Sequence, residues 1–322
     1  MSTGNSGAPV IELEHVVKNY GDFTAVKDLD LTIPEGSTYA LLGPNGAGKT
    51  TTIRMILRII EETSGVVRVF GQPVTQDTLD RIGYLPEERG VYKRMTVRRL
   101  LAFMAEMKGV PVRVSMPRIE EWLERLDLGQ WIDSKVQELS KGMQQKLQFI
   151  SSVLHDPPIV ILDEPFSGLD PLNQQVLRGI VADLQDVGKT VLFSTHIIEH
   201  AERICDHVCI IARGKKVVDG PLSQVRHEHG GHYVAIGLEP GAINEAAIRG
   251  SRQVASARQD GTEFEITLRD GADPNALLGE LVGAGMRLRR FEVVEPSLEQ
   301  VFIDKVGRPE ELGMDALELA HV

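Results

Sequence analysis

The sequence has little cysteine, few aromatic residues, no long apolar run and no surplus of basic residues. Only two cysteines, Cys205 and Cys209, occur in 322 residues, which excludes a disulfide framework and indicates a reducing compartment. Their spacing predicts two small buried side chains rather than a metal site. No stretch approaches the roughly 18 apolar residues of a membrane span, so any spanning part is expected in another chain.

Charge and composition narrow the class of protein further. The chain carries 35 lysine and arginine residues against 46 acidic ones, a formal net charge of −11. Without a basic face or tail, nucleic acid is not expected as the main partner. The hydrophobic fraction of 42% suffices for ordinary globular cores, and the length predicts one large and one small domain.

The strongest motif is a phosphate-binding loop that fits G-x-x-x-x-G-K-[ST]. Its residues are Gly43, Pro44, Asn45, Gly46, Ala47, Gly48, Lys49, Thr50 and Thr51. A strand pattern over 37–42 precedes the loop and a helical pattern over 51–60 follows it. We expect the loop amides and the helix N-terminus to bind phosphates, with Lys49 reaching the β- and γ-phosphates and Thr50 ligating Mg²⁺.

A second motif follows an apolar strand pattern over 159–162, which ends in Asp163 and Glu164. This strand brings both carboxylates to the carboxyl end of a buried sheet, where parallel-sheet proteins bind ligands. We predict that Asp163 holds Mg²⁺ and that Glu164 orients and deprotonates the attacking water. The plain alternative is a strand that ends in a salt-bridged acidic turn.

The order of elements predicts an α/β domain and a small α+β domain. Apolar strands alternate with helices over 10–222, which indicates a mainly parallel sheet with a helical insertion at about 91–155. Residues 223–306 follow a β-α-β-β-α-β order, the ferredoxin-like pattern, and contain no catalytic constellation. Residues 1–9 are expected to form a loose leader and 307–322 a loose acidic tail. His227, His229 and His232 lack acidic or cysteine partners at a set spacing, so a metal site there is not favoured.

Taken in order along residues 10–222, the motifs resemble those of the nucleotide-binding subunits of ABC transporters. Residues 139–146 match the family's signature, 167–170 its D-loop and 194–196 its switch histidine. The resemblance implies a P-loop NTPase fold, ATP as ligand and Mg²⁺ as its metal. It also implies that Tyr20 stacks on adenine, that His196 contacts the γ-phosphate, and that Asp170 links two sites across a dimer.

The signature makes physical sense as an anion site on a helix N-terminus. Ser140 is a natural N-cap, and its hydroxyl with the amides of Lys141 and Gly142 is suited to hold a γ-phosphate. In the family this phosphate belongs to ATP on the opposite subunit. Lys141 replaces the family's usual glycine and Met143 its usual glutamine, but the backbone donors survive both changes.

Glu87 departs from the family pattern more seriously. Relatives have a glutamine there, which contacts Mg²⁺ and senses the membrane subunit. A carboxylate can still ligate Mg²⁺, more strongly because it is charged. The alternative is a solvated loop charge without a role. The run Glu87-Glu88-Arg89-Gly90 resembles a bacterial branch of sodium and drug export ATPases.

These observations predict a cytoplasmic ATPase subunit, peripheral on the inner face of the cell membrane. It is expected to homodimerise, or to pair with a close relative, and to dock on separate membrane-spanning permease subunits. The resemblance to the export branch favours export over import. The small C-terminal domain would serve dimer contact or regulation. One alternative is a soluble ABC ATPase acting on ribosomes or nucleic acid, but the chain lacks a second ATPase half, long coiled-coil insertions and basic linkers. Another is a regulatory switch with negligible turnover, which Glu164 disfavours.

Overall fold

The computed structural model of the chain describes residues 9–88, 90, 92–229, 233–239, 245–269 and 271–307. It divides into two compact units, of which Leu222–Lys305 is the second. The expected leader and acidic tail lie outside the described residues, apart from Pro9, which begins the first strand, and Gly307. Among the helices described, none is both long and apolar enough to cross a bilayer.

The first unit contains ten strands and seven α-helices among its described residues. The strands are β1 (Pro9–Tyr20), β2 (Phe23–Pro34), β3 (Thr38–Leu42), β4 (Ser64–Val69), β5 (Gln72–Pro73), β6 (Ile82–Leu85), β7 (Ile159–Asp163), β8 (Thr190–Thr195), β9 (His207–Ala212) and β10 (Lys215–Pro221). The helices are α1 (Lys49–Ile56), α2 (Gln76–Asp80), α3 (Val97–Met107), α4 (Val112–Arg125), α5 (Lys141–Val153), α6 (Pro171–Asp186) and α7 (Ile198–Ile204).

A six-stranded sheet in the order β10-β9-β3-β8-β7-β6 forms the centre of this unit. All its pairings are parallel except that of β10 with β9, which confirms the predicted mainly parallel sheet. Every residue of β3, β7 and β8 is buried, as expected for strands covered on both faces. Because these three strands are neighbours and parallel, the residues that follow them meet at one edge of the sheet.

An antiparallel sheet in the order β2-β1-β4-β5 packs beside the central sheet. A shared apolar core joins the two sheets to α1, and Ile11, Leu41, Ile53 and Ile161 are among its fully buried members. Alternation in β1 and β2 places apolar residues toward this core and polar ones toward solvent. The phosphate loop and α1 are therefore held between two sheets.

Helices α3, α4 and α5 form the predicted helical insertion. Thr96 caps α3 as expected, because its hydroxyl accepts from the Arg99 amide at 3.4 Å. The apolar spacing predicts a helix over 119–128. That predicted start was wrong, since α4 begins at Val112 and contains Pro117. Its first turns are mostly exposed, so the apolar periodicity that marks a buried helix face begins only later.

Helix α1 also differs from its prediction. It ends at Ile56 rather than Ile60. Arg58 adopts a left-handed backbone with φ of 52°, which stops the helix. Ile59 beyond it is 55% exposed, so the apolar run after the helix does not continue its buried face.

The second unit is an antiparallel sheet in the order β12-β13-β11-β14 with helices. Its elements are α8 (Leu222–Glu228), β11 (Tyr233–Leu238), α9 (Glu245–Gly250), β12 (Val254–Asp260), β13 (Glu263–Leu268), α10 (Pro274–Gly283), β14 (Leu288–Val294) and α11 (Leu298–Val306). The β-α-β-β-α-β order is confirmed from β11 to β14. Helix α8 was not predicted. The sequence pattern predicts the first helix of this order over 241–248, and residues 241–244 lie outside the described residues.

Candidate nucleotide-binding site

The phosphate loop joins β3 to α1, and two of its glycines are fixed by close packing. A Cβ on Gly43 would lie 2.1 Å from the Ile211 carbonyl oxygen. Gly48 has φ of 109°, and a Cβ there would lie 2.8 Å from the Ala25 carbonyl oxygen. Any side chain would therefore clash with backbone at both positions, so the loop's shape depends on glycine.

The loop presents the N-terminus of α1 together with a buried ammonium group. Gly48 precedes the helix and provides no side-chain cap, so the first amides need an external acceptor. Lys49 is only 5% exposed, and its Nζ donates to the carbonyl oxygens of Gly43 at 2.7 Å and Pro44 at 3.3 Å. This arrangement concentrates positive charge inside the loop and suits a phosphate anion.

The carboxylates after β7 meet the loop at the edge of the sheet. Thr50 Oγ1 donates to Asp163 Oδ1 at 3.1 Å, and Lys49 Nζ lies 3.4 Å from Glu164 Oε1. His196, which follows β8, places its Nδ1 3.0 Å from Glu164 Oε2. Three contacts thus connect side chains predicted from three separate stretches of the sequence.

Glu164 reaches this position through an unusual backbone conformation. Its φ of 49° lies in the left-handed region, which costs a residue other than glycine roughly 1–3 kcal/mol. The Glu164 amide donates to Ser194 Oγ at 2.9 Å, and its carbonyl accepts from the Ser167 amide at 3.1 Å. The turn begins directly at the end of the strand, and these two hydrogen bonds stabilise it.

The site carries more negative than positive charge. Burial raises the pKa of Asp163, although hydrogen bonds from Ser194 and Thr50 oppose the shift. Burial also raises the pKa of Glu87, and the negative charges of Asp163 and Glu164 add to this effect. Three carboxylates face one ammonium group, so the site is electrostatically suited to a cation.

A divalent cation would fit the donors present here. Asp163 is fully buried, and its Oδ2 has no hydrogen-bond partner among the described residues. Mg²⁺ prefers oxygen donors and is commonly held by one or two carboxylates together with phosphates of the substrate. Within the described part of the chain, no group of three acidic, histidine or cysteine residues could hold a metal by itself. The donors therefore fit a cation that arrives with a nucleotide.

A cavity of about 360 Å³ opens over the loop. It is lined by Tyr20, Phe23, Ala25, Asn45, Gly46, Ala47, Gly48, Lys49, Thr50, Thr51, Glu87 and Glu164. The cavity brings the predicted Tyr20 and Glu87 to the phosphate loop. It is large enough for part of a nucleotide and leaves the remainder open to solvent.

Sequence reasoning missed Phe23 and the contacts of Ser194. Phe23 lies opposite Tyr20 in the β1–β2 hairpin, and both rings are exposed, by 64% and 49%. Reading the Gly21-Asp22 turn as a tight hairpin would have placed the two aromatics side by side. Ser194 was seen only as part of the histidine motif, because its contacts with Asp163 and Glu164 arise from sheet pairing.

Ser140, Gly142 and Asp170 do not line the cavity that contains Lys49 in the same chain. Ser140 caps α5 by accepting from the Met143 amide at 3.3 Å. Asp170 caps α6, and hydrogen bonding from Asn173 lowers its pKa. The predicted signature and D-loop residues thus lie at helix N-termini outside the cavity.

The remaining histidine and cysteine candidates lie outside the site. Cys205 and Cys209 are free and buried, and burial raises the pKa of both thiols. His227 Nδ1 lies 3.5 Å from Glu295 Oε1, and His229 Nδ1 lies 2.8 Å from the Val225 carbonyl oxygen. His232 lies outside the described residues.

The fold and the site together define a phosphate-loop nucleotide-binding protein. A glycine-rich loop between a buried parallel strand and a helix binds phosphate through backbone amides. The acidic pair follows β7, which β8 separates from β3 in the same sheet, and carboxylates are groups of the kind that phosphoryl transfer to water requires. This combination is the one that the first two sequence motifs predicted.

Comparisons with known proteins identify the family within this class. A family model described as "ABC transporter" matches residues 26–167, and one described as "ATP-binding protein DrrA1-3-like, C-terminal domain" matches 220–306. The chain is 43% identical to "Uncharacterized ABC transporter ATP-binding protein YhaQ" of Bacillus subtilis, over 92% of this chain and 99% of the relative. The chain belongs to the family of ABC transporter ATP-binding proteins.

Two further matches extend the comparison. A protein described as "Nod factor export ATP-binding protein I", of Burkholderia orbicola, is 33% identical over 92% of this chain and 97% of its own length. A solved "Structure of ATP binding subunit of ABC transporter" aligns with a TM-score of 0.64 and 30% identity. That alignment covers 68% of this chain and 92% of the other. The ABC-type ATPase fold predicted from the motifs is confirmed.

Proposed function

We propose that this chain binds Mg·ATP in the cavity over the phosphate loop and hydrolyses it to power transport. The observation that carries the proposal is the convergence of Lys49, Thr50, Asp163 and Glu164. Thr50 contacts Asp163 at 3.1 Å and Lys49 lies 3.4 Å from Glu164. One group of side chains can thus hold both phosphate and its metal beside a carboxylate base.

Nucleotide binding uses the two ends of the cavity. At one end, backbone N–H groups of the phosphate loop and of the N-terminus of α1 bind the phosphates, and Lys49 neutralises their charge. At the other end, adenine stacks on Tyr20, and Phe23 adds a second aromatic surface beside it. Any base can stack on an aromatic ring, so these two rings contribute more to affinity than to specificity.

The metal donors are Thr50, Asp163 and Glu87. Asp163 Oδ2 is buried and has no hydrogen-bond partner among the described residues. Burial, together with the negative charges of Asp163 and Glu164, raises the pKa of Glu87, so a cation would be favourable here. Bound Mg²⁺ would supply charge that stabilises the phosphate oxygens as the terminal bond breaks. Glu87 adds a charged donor where the usual family motif has a glutamine, so the cation is held more strongly.

Hydrolysis requires a base beside the γ-phosphate, and Glu164 has that role. The oxygen of a water molecule attacks the γ-phosphorus while its proton passes to the Glu164 carboxylate, and the bond from the γ-phosphorus to the bridging oxygen breaks. ADP and phosphate result. His196, 3.0 Å from Glu164 Oε2, orients that carboxylate and contacts the γ-phosphate.

The site is completed by a second copy of the chain. Ser140 and Gly142 do not line the cavity of their own chain, yet the N-terminus of α5 is suited to hold a γ-phosphate. Two copies related by a twofold axis would each present α5 to the partner's cavity, with Asp170 between the sites. ATP would close this homodimer and hydrolysis would reopen it.

Transport requires separate membrane-spanning permease subunits, because the described helices include none that crosses a bilayer. We infer docking on the cytoplasmic, inner face of the cell membrane, which agrees with two free thiols. Export is favoured because a relative over nearly the whole chain is named for export. The permease selects the transported molecule, and Leu222–Lys305 serves dimer contact or regulation.

A complementation assay with full-length chains tests the shared site. Lys49→Ala removes the phosphate ligand from one side, and Gly142→Asp places negative charge on the other. A Cβ at Gly142 would meet only Leu169 Cδ2, at an ordinary contact distance of 3.7 Å, so the backbone there accepts a side chain without a clash at Cβ. Each variant alone should release little phosphate. Mixed in equal amounts, half the dimers would be mixed with one intact site each, restoring about a quarter of wild-type turnover.

The matched control mixes Lys49→Ala with Glu164→Gln, whose changes fall on the same side of the site. No dimer then contains an intact site, because each chain carries a change on its own phosphate-loop side, and turnover stays low. Restored turnover in the control mixture contradicts a site shared between two copies. So does a failure to restore turnover when Lys49→Ala is mixed with Gly142→Asp.

A further inference from the structure

The hydroxyl of Ser194 contacts both acidic residues of the site. Ser194 is fully buried in β8, directly beside Asp163 in the parallel pairing of β7 with β8. Its Oγ donates to Asp163 Oδ1 at 2.6 Å and accepts from the Glu164 amide at 2.9 Å. A hydroxyl has one hydrogen to donate, and here that hydrogen is committed to Asp163.

The first contact determines which oxygen of Asp163 is available. Oδ1 accepts hydrogen bonds from Ser194 and from Thr50 Oγ1, so both its lone pairs are used. Oδ2 has no hydrogen-bond partner among the described residues, although the side chain is fully buried. The carboxylate is therefore held in one rotation, with a single oxygen left for a cation.

The second contact holds the backbone of Glu164. This residue adopts a left-handed conformation at the end of β7, with φ of 49°. Its amide has left the strand pairing and is bound by the Ser194 side chain instead. The same hydroxyl thus fixes the carboxylate that faces the metal and the turn that aims the catalytic carboxylate.

We propose that Ser194 is a positioning residue for ATP hydrolysis, which orients Asp163 toward the metal and holds Glu164 in its turn. The inference rests on the hydrolysis proposed above. Ser194 does not line the cavity, so it acts through the two acidic residues and not through contact with the nucleotide. Residues that orient a metal ligand in this way typically change metal affinity or activity by about 10- to 100-fold when they are replaced.

The test replaces Ser194 in the full-length chain by alanine and, to preserve volume, by cysteine. Both variants should lower kcat by roughly 10- to 100-fold and raise the Mg²⁺ concentration for half-maximal turnover by about tenfold. The dissociation constant of a fluorescent ATP analogue measured without Mg²⁺ should stay within about twofold, because the phosphate loop is untouched. Thermal unfolding of each variant verifies that it is folded.

The matched control is Ser152→Ala. Ser152 is also buried and its hydroxyl donates to the Phe149 carbonyl oxygen at 2.7 Å, outside the site. This variant should keep wild-type kcat and Mg²⁺ dependence. Unchanged kcat and Mg²⁺ dependence in both Ser194 variants overturn the proposal. The proposal is also overturned if the variants bind the analogue without Mg²⁺ as much more weakly as their kcat falls. That result would indicate that the whole site is disturbed and not only the positions of Asp163 and Glu164.

A binding measurement separates this proposal from the proposed hydrolysis. Mg²⁺ should tighten binding of a non-hydrolysable ATP analogue to the wild type, and the Ser194 variants should lose about tenfold of that gain. If the wild type releases no phosphate, hydrolysis is refuted while this readout still decides the role of Ser194. If Mg²⁺ tightens analogue binding equally in the wild type and the variants, the positioning role of Ser194 is refuted and the proposed hydrolysis is not affected.

Discussion

The two units of the chain differ in what they bury. At the edge of the central sheet, the first unit buries Lys49, Asp163, Glu164 and Ser194. In the second unit, Ser251 is the one buried polar residue among those described, and the core is otherwise apolar. Buried charge costs stability unless it is paired, so its concentration in one unit indicates where the chemistry occurs.

The cavities of the two units show the same contrast. The cavity over the phosphate loop adjoins a helix N-terminus and several carboxylates. A smaller one of about 160 Å³ in the second unit contains Arg258 and Glu299, which pair with each other at 3.7 Å. Arg258 and Glu299 are largely exposed, whereas Lys49 and Glu164 beside the first cavity are buried. Because buried charges are less screened by water, the first cavity is the better nucleotide site.

Replacement of Glu164, the proposed catalytic base, should produce the largest effect. Glu164→Gln keeps the size of the side chain but removes the proton acceptor, so phosphate release should fall by about 10²- to 10⁴-fold. ATP affinity should persist, and an ATP-bound dimer should accumulate on gel filtration. Unchanged turnover would refute the assigned role of Glu164.

A core substitution in each unit tests whether ATP binding depends on the first unit only. Phe264 and Phe193 are each 1% exposed, the first in the apolar core of the second unit and the second in β8 beside the site. Either substitution to alanine should lower the free energy of unfolding of its unit by about 3–5 kcal/mol. Below the unfolding transition, only Phe193→Ala should weaken ATP binding in titration calorimetry. Equal weakening of ATP binding by Phe264→Ala would contradict the assignment of the nucleotide site to the first unit.

The aromatic end of the cavity predicts a smaller loss. Tyr20→Ala and Phe23→Ala should each weaken ATP binding by about 1–3 kcal/mol, because each removes a surface for base stacking. Tripolyphosphate, which has no base, should bind both variants as it binds the wild type. An equal loss for tripolyphosphate would show that the hairpin supports the phosphate loop and does not contact the base.

An effect of similar size concerns stability in acid. His200 is 4% exposed, and burial together with the charge of Arg178 lowers its pKa to about 4. The unfolded chain, with an ordinary histidine pKa near 6.5, binds this proton first, so stability falls as pH drops from about 6.5 to 4. His200→Leu should lessen that fall by roughly 1–3 kcal/mol in urea titrations at several pH values.

The control for His200 is His227→Leu, which removes an exposed histidine from the second unit. It should leave the pH dependence of stability close to that of the wild type. A flattening of the same size in both variants would contradict a specific role for the buried ring.

Local sequence predicted those parts of the site that depend on contiguous residues. Gly43 to Thr51 is a single loop, and Asp163-Glu164 ends a single strand, so each motif contains its own geometry. The position of Ser194 depends on which strands are neighbours, and that order is a property of the whole sheet. The end of α1 was missed for a related reason, since nothing in its apolar periodicity indicates the left-handed Arg58.

The central claim, that ATP binds over the phosphate loop of the first unit, is tested most directly by hydrogen exchange of the full-length chain. With Mg·ADP, peptides that contain Gly43–Thr51 should exchange more slowly, because phosphate oxygens accept hydrogen bonds from their amides. Peptides from Tyr233–Leu238 and Glu263–Leu268 should exchange as they do without nucleotide. Protection of those strands with no change in the loop would contradict the account.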